Sequence, residues 1–281
     1  MTITICICGA GTMGSGIAQV AAQSGFNTIL FDINSSVLES ARQNIANNLD
    51  YLVNKKKISA AEKLVATGRI KFTTSISDCV AQVIIEAIAE NELAKVSLFN
   101  QLAEFNYEDT ILASNTSSLS ITTIQKQIRF PQRVIGMHFF NPAYIMKLVE
   151  VVQGELTDPG IARAISDICV DMGKVPVTCK DAPGFIVNRV ARHYYLESLK
   201  TAEDGIASFQ DIDALLEASG FKMGPFKLMD LIGMDINLSV SESLYKAFDE
   251  TKRFLPSKLQ RQKVRKGELG KKSGRGFYDY E

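Results

Sequence analysis

The chain has 281 residues, 46% hydrophobic and 22% charged, the composition of an ordinary globular protein with enough apolar residues for a sizeable core, which excludes a disordered one. Lys plus Arg equals Asp plus Glu at 31 each, so no overall positive field exists to collect nucleic acid or an anionic membrane. A chain of this length tends to divide its core between two domains.

Ile3 to Cys8 is a short β-branched run, followed by closely spaced glycines, a helical stretch from about Gly14 to Ser24 and a second apolar run at Thr28 to Phe31. That order predicts a βαβ unit. The start carries no charge before Asp32, yet it does not read as a signal peptide or a membrane span. It has no basic residue ahead of the apolar run, and Gly9, Gly11, Gly14 and Gly16 interrupt it. Ser35 to about Lys57 predicts one long helix with a lysine-rich end. Further strands are predicted at Val83 to Glu86, Thr110 to Ala113, Val134 to His138, Leu148 to Val152 and Val175 to Cys179. Strands alternating with helices imply a parallel sheet covered on both faces. From Phe185 onward the apolar residues Val187, Val190, Tyr194, Leu196, Ile212, Leu215 and Leu216 recur at helical spacing, and no strand is expected. The five cysteines, Cys6, Cys8, Cys79, Cys169 and Cys179, lie in apolar stretches without zinc-type spacing. They predict reduced, buried thiols in a cytoplasmic setting, with no metal site.

Gly9-Ala-Gly11-Thr-Met13-Gly14 matches the dinucleotide fingerprint G-x-G-x-x-G, directly after a strand and opening a helix. Gly9 allows the tight turn, Gly11 lets the backbone approach a pyrophosphate, and Gly14 permits close packing of helix on strand. The helix N-terminus supplies amide donors and a favourable dipole for the phosphates. Asp32 ends the second strand, 18 residues after Gly14, where a carboxylate accepts from the adenosine ribose hydroxyls and repels a 2′-phosphate. This favours NAD over NADP as cofactor. The alternative is a structural turn in which Asp32 caps the helix starting at Ser35. The expected fold class is therefore α/β: a Rossmann-type dinucleotide-binding domain over 1–183 followed by an all-helical domain over 184–281.

The sequence holds two histidines. His138 ends a predicted strand, at the edge where open α/β sheets place their ligands, whereas His193 lies within a predicted helix and reads as a packing or surface residue. Glu150 sits in an apolar strand, where a carboxylate is costly without a partner. Paired with a histidine it would fix the tautomer and stabilise the imidazolium; the other reading pairs it with Lys147 on the sheet rim. Asn115 and Ser117 follow another strand and open a helix. On spacing alone they fit an N-terminal cap as well as a ligand contact.

At these residues the sequence resembles the 3-hydroxyacyl-CoA dehydrogenase family, and within it the short single-function members that include 3-hydroxybutyryl-CoA dehydrogenases. The resemblance covers nearly the whole chain. Besides the glycine turn it includes Glu86-Ala-Ile-Ala-Glu90, Ser114-Asn-Thr-Ser-Ser-Leu119, Met137-His-Phe-Phe-Asn-Pro142, Met146-Lys-Leu-Val-Glu-Val151, Lys180-Asp-Ala-Pro-Gly-Phe-Ile-Val-Asn-Arg189, Met223-Gly-Pro-Phe226 and Gly274-Arg-Gly-Phe-Tyr278. It implies an NAD-dependent enzyme that oxidises an L-3-hydroxyacyl-CoA, with His138 as base and Glu150 as its orienting partner. Ser117 and Asn188 would position the substrate's 3-oxygen and thioester end. Gly9, Gly11, Met13, Gly14 and Asp32 would hold the adenosine and pyrophosphate portion of NAD, and Glu90, Lys95, Asn115 and Asn141 would lie near its nicotinamide half. Lys55 is the best match for a coenzyme A contact, with Lys56 and Lys57 beside it; a solvated helix end is the alternative. The resemblance also implies a homodimer through the helical domain. The absence of a transit peptide is read as favouring a bacterial-type cytoplasmic enzyme. Two rival readings share the motifs: a dehydrogenase of a free hydroxy or sugar acid, as in L-gulonate 3-dehydrogenases, and a non-catalytic NAD-binding protein.

Overall fold

The computed structural model describes residues 3–280, which fall into two compact units, Met1–Ala182 and Pro183–Glu281. Among the described residues the first unit holds eight strands in one sheet. They are β1 (Thr4–Cys8), β2 (Asn27–Phe31), β3 (Ile70–Thr73), β4 (Val83–Glu86), β5 (Ile111–Ser114), β6 (Val134–Phe139), β7 (Leu148–Gln153) and β8 (Val175–Lys180), in the order β3-β2-β1-β4-β5-β6-β7-β8. The helices of this unit are α1 (Thr12–Gln23), α2 (Ser35–Asn54), α3 (Ala60–Gly68), α4 (Glu92–Ala103), α5 (Ile121–Gln125) and α6 (Pro159–Asp171). Ile5, Cys6, Ile7 and Cys8 are all fully buried, so β1 has no solvent face and reads as a continuous apolar run. Ile5 and Ile7 join the core with Ile17, Ala18 and Ala21 of α1 and Leu38, Ile45 and Leu49 of α2. Each of these isoleucine and leucine side chains contributes about 1.5–3 kcal/mol on burial.

The sheet differs from the expected parallel one at a single place. Strands β3 through β6 are parallel to their neighbours, but β6 and β7 pair antiparallel, and β8 then runs parallel to β7. The physical reason is the connection. Residues 140–147 contain no helix, and eight residues are too few for the crossover that a parallel partner requires. The sequence reading also lacked β3, whose four residues Ile-Lys-Phe-Thr are too short to stand out as a strand. The long helix expected to reach Lys57 ends at Asn54; Lys56 takes a left-handed backbone at φ 54°, and α3 restarts after a capping box of Ser59 with Glu62.

The second unit is helical, with α7 (Val187–Glu203), α8 (Phe209–Ala218), α9 (Pro225–Ile232), α10 (Met234–Ala247) and α11 (Lys258–Arg265). Tyr195, Leu199, Ile212, Phe226, Met229, Met234 and Phe277 form its core. Two buried carboxylates fasten the C-terminal segment to that core. Asp213 accepts from the Phe226 and Lys227 amides and the Tyr278 hydroxyl, and Asp230 accepts from the Phe277 and Tyr278 amides and the Tyr280 hydroxyl. A side chain at Gly276 would meet Asp230 Oδ1 at 2.0 Å, which accounts for the glycine in Gly274-Arg-Gly-Phe-Tyr. Among the described residues no helix is long and apolar enough to cross a membrane. Asp230→Ala strands two amides at about 1–3 kcal/mol each; differential scanning calorimetry should record a fall in melting temperature of at least about 5 °C, and an unchanged transition would show that the carboxylate does not hold the segment.

Candidate active site

The glycine turn is built by close packing. Gly9 has φ +103° and a Cβ there would stand 2.6 Å from the Ala87 carbonyl oxygen; one on Gly14 would stand 1.7 Å from the Gly9 carbonyl oxygen. Helix α1 therefore starts flush against the end of β1. Gly11, its N-cap residue, offers no side-chain cap to the first-turn amides, and nothing lies within 4 Å of the place where its Cβ would be. Open space over unprotected helix amides is what a dinucleotide's pyrophosphate needs. Met13 sits in this first turn, half-buried against the core. Asp32, at the end of β2, accepts from the Ala10 amide at 2.8 Å and the Asn34 amide at 2.9 Å. The carboxylate thus ties the turn to the neighbouring strand. Asn34, rather than Asp32, caps α2, by accepting from Ser36.

A cavity of about 600 Å³ opens beside the turn, between Gly11 and Thr12 on one side and the α2 residues Ser40, Asn44 and Asn48 on the other, with Asn141 also lining it. The polar α2 residues recur at spacings of four, a helical stripe legible in the sequence but absent from the sequence reading. Lys55 does not line this cavity. It is the C-cap residue of α2, with its Nζ 5.7 Å from the Tyr51 ring centroid.

Along the same sheet edge, Lys95 of α4 is buried between two carboxylates. Its Nζ lies 2.6 Å from Glu86 Oε1 and 3.2 Å from Glu90 Oε2, with side-chain exposures of 1% for Lys95 and 0% for Glu86. Burial pushes the Glu86 carboxyl above its ordinary range, against the pull of Lys95 and the hydroxyl of Ser114. Glu90 also loses hydration, but Lys95 and the Thr116 and Ser118 hydroxyls outweigh that and hold it below the usual carboxylate range. One oxygen of Glu90 accepts from Thr116 Oγ1 at 2.5 Å, the Ser117 amide at 3.1 Å and Ser118 Oγ at 2.9 Å, fixing the loop that carries Ser117. Asn115 spans to the next strand, where its Oδ1 accepts from the Phe139 amide at 2.9 Å. Glu86 was part of a quoted motif without a role; its position as the second acid on Lys95 is visible only in three dimensions.

His138 and Glu150 stand directly opposite each other in the antiparallel β6–β7 pair. The His138 Nδ1 to Glu150 Oε2 distance is 2.7 Å, and the two residues are 6% and 0% exposed. Of the two alternatives for Glu150, the histidine pair is thus the one formed. Phe140 flanks the imidazole at 4.5 Å between ring centroids. A carboxylate on Nδ1 fixes the tautomer and the orientation of the ring. His193, in contrast, is a half-buried partner of Arg253 at 2.8 Å. Asn188 is the second residue of α7 and belongs to the second unit.

The family model for the 3-hydroxyacyl-CoA dehydrogenase NAD binding domain matches residues 4–182, and that for the family's C-terminal domain matches residues 184–280. The chain belongs to the 3-hydroxyacyl-CoA dehydrogenase family. It is accordingly an NAD-dependent oxidoreductase. It is 45% identical to the 3-hydroxyadipyl-CoA dehydrogenase of Escherichia coli (strain K12) over 99% of its own length, and spans 59% of that longer protein. Identity to the mitochondrial hydroxyacyl-coenzyme A dehydrogenase of Rattus norvegicus is 39%, over 99% of this chain and 91% of the relative. The crystal structure of (S)-3-hydroxybutyryl-CoA dehydrogenase from Ralstonia eutropha superposes with a TM-score of 0.95 at 39% identity, covering 100% of both chains. In this 3-hydroxyacyl-CoA dehydrogenase family member, Lys95→Met leaves the Glu86 carboxylate buried without its cation, a loss of about 3–5 kcal/mol. Urea denaturation should show that drop together with weaker NADH binding, and wild-type stability would mean that the pair is not what organises this edge.

Proposed function

We propose that this chain interconverts L-3-hydroxyacyl-CoA and 3-ketoacyl-CoA, with a four-carbon acyl group as preferred substrate. The observation that supports it most is the 2.7 Å bond between His138 and Glu150 at the end of a buried strand pair. NAD, held at the glycine turn, would supply the acceptor for the hydride from C3. His138 Nε2 removes the proton of the 3-hydroxyl, a positioned base contributing about 10² to 10⁴ in rate. Glu150 stabilises the imidazolium so formed and holds the ring in one orientation. Ser117, on the loop that Glu90 fixes, and Asn188 donate to the substrate's oxygens and set its position. In the reductive direction the same imidazolium returns the proton.

Around the cofactor, Asp32 faces the adenosine ribose, Gly9, Gly11, Met13 and Gly14 form the pyrophosphate turn, and Glu90, Lys95, Asn115 and Asn141 surround the nicotinamide end. For coenzyme A, the hydroxyl and amide stripe of α2 and the cationic end at Lys55 together offer donors to a nucleotide and its phosphates. The helical unit forms the homodimer contact, a reading supported by large exposed apolar side chains at Leu215, Phe221, Leu231 and Ile236. A cytoplasmic setting fits the five free thiols.

The deciding assay is NADH oxidation with acetoacetyl-CoA beside free acetoacetate. Consumption with the thioester alone supports the reading, and turnover of the free acid moves it to a hydroxy-acid dehydrogenase. His138→Ala should lower kcat by about 10²- to 10⁴-fold while NADH still binds by calorimetric titration; retained turnover would remove the histidine from the mechanism. Asp32→Ala should raise the KM for NADH and narrow the preference over NADPH, and an unaltered preference would place the ribose elsewhere.

A further inference from the structure

Cys6 and Cys8 alternate with Ile5 and Ile7 along β1, so their side chains share the face of the sheet opposite the α1 core. Cys79 reaches the same place from the segment before β4. The three Sγ atoms lie within 4.8 Å of one another, with Cys6 and Cys8 at 3.9 Å, and all three residues are 0% exposed. The cysteines lie in apolar stretches without zinc-type spacing, so no metal site is expected from the sequence, and 70 residues separate Cys8 from Cys79. The fold removes that separation.

The geometry is that of a three-sulfur site. A metal–sulfur bond of about 2.3 Å puts the sulfurs of a trigonal complex about 4 Å apart, close to what the Cys6–Cys8 pair already shows. Among the described residues no fourth histidine, cysteine or carboxylate joins the group, which disfavours a tetrahedral structural zinc site, and an all-sulfur donor set excludes magnesium and calcium. The third ligand is held firmly. Asn106 donates to the Cys79 carbonyl oxygen at 2.9 Å and accepts from the Ala81 amide at 3.0 Å, bracketing the cysteine on both sides. Beside Cys79 in the chain, Val80 is exposed and Asp78 half-exposed.

We propose that Cys6, Cys8 and Cys79 form a binding site for one thiophilic d10 cation, held by three sulfurs. Binding of a divalent ion forms three metal–sulfur bonds and releases the protons of the three thiols to solvent, leaving a complex of single negative charge. No oxidant or reductant is involved. The site lies one residue from Gly9 and is separate from the His138–Glu150 pair.

The test is anaerobic titration of the reduced, chelator-treated full-length protein with Cd(II), read by the ultraviolet sulfur-to-cadmium charge-transfer absorption and by proton release. The expected result is saturation at one equivalent, loss of the band in Cys79→Ala and in Cys6→Ala, and its retention in a Cys169→Ala/Cys179→Ala double variant. Circular dichroism establishes which variants fold, so either single variant suffices. An absent band in the wild-type protein, a band that persists in a folded Cys79→Ala or Cys6→Ala protein, or its loss in the double variant would overturn the proposal.

Discussion

The reversal of strand direction between β6 and β7 is the constraint on which the site depends. In an antiparallel pair, residues opposite each other bring their side chains to one face within contact distance, and the register here sets His138 against Glu150. A one-residue slip would send the carboxylate to the other face of the sheet. Both faces of these strands are buried, so the apolar pattern of Val149, Val151 and Val152 on one strand and Met137 and Phe139 on the other resists such a slip. The histidine gains a partner without a loop having to deliver it, and the cost of burying Glu150 is offset by the bond it makes.

Lys95 organises the neighbouring edge in a comparable way. A buried ion pair is weak evidence for stability, because desolvation consumes most of its Coulombic gain. What it supplies is position. With Glu86 fixed by Lys95, Ser114 and the Ile88 amide, and Glu90 fixed by Lys95, the loop from Thr116 to Ser118 has few other conformations available. The pKa of Glu90 is held below the usual carboxylate range, so its contribution is present above that range and disappears as pH falls through the lowered value.

Much of this was legible in the sequence, for identifiable reasons. The strand, glycine turn, helix and acid at Asp32 follow from local geometry that only a few residues satisfy. His138 and Glu150 were recognisable as a polar pair in apolar strands, and the helix-free connection over 140–147 already required the antiparallel turn that pairs them, although the alternation of strands and helices pointed to a parallel sheet. The short edge strand β3 carried too little pattern to detect. Long-range convergence was beyond local reading: Glu86 with Lys95, Asp213 with Tyr278, and Cys79 with Cys6 and Cys8 lie between 9 and 73 residues apart in the chain.

The same reversal also decides where the chain leaves the first unit. Because β7 runs back across the sheet, α6 can cross over and return β8 parallel to it, so β8 ends at Lys180 beside the start of α5. Asp181 is fixed there three times: its amide donates to the Gln153 carbonyl oxygen, and its carboxylate accepts from Ser120 Oγ at 2.7 Å and the Thr122 amide at 2.8 Å. Ser120 is three residues beyond Ser117. The loop proposed to position the substrate and the last residues before the junction are thereby anchored to each other. The acid of Lys180-Asp-Ala-Pro-Gly thus has a mechanical explanation that requires no contact with substrate or cofactor.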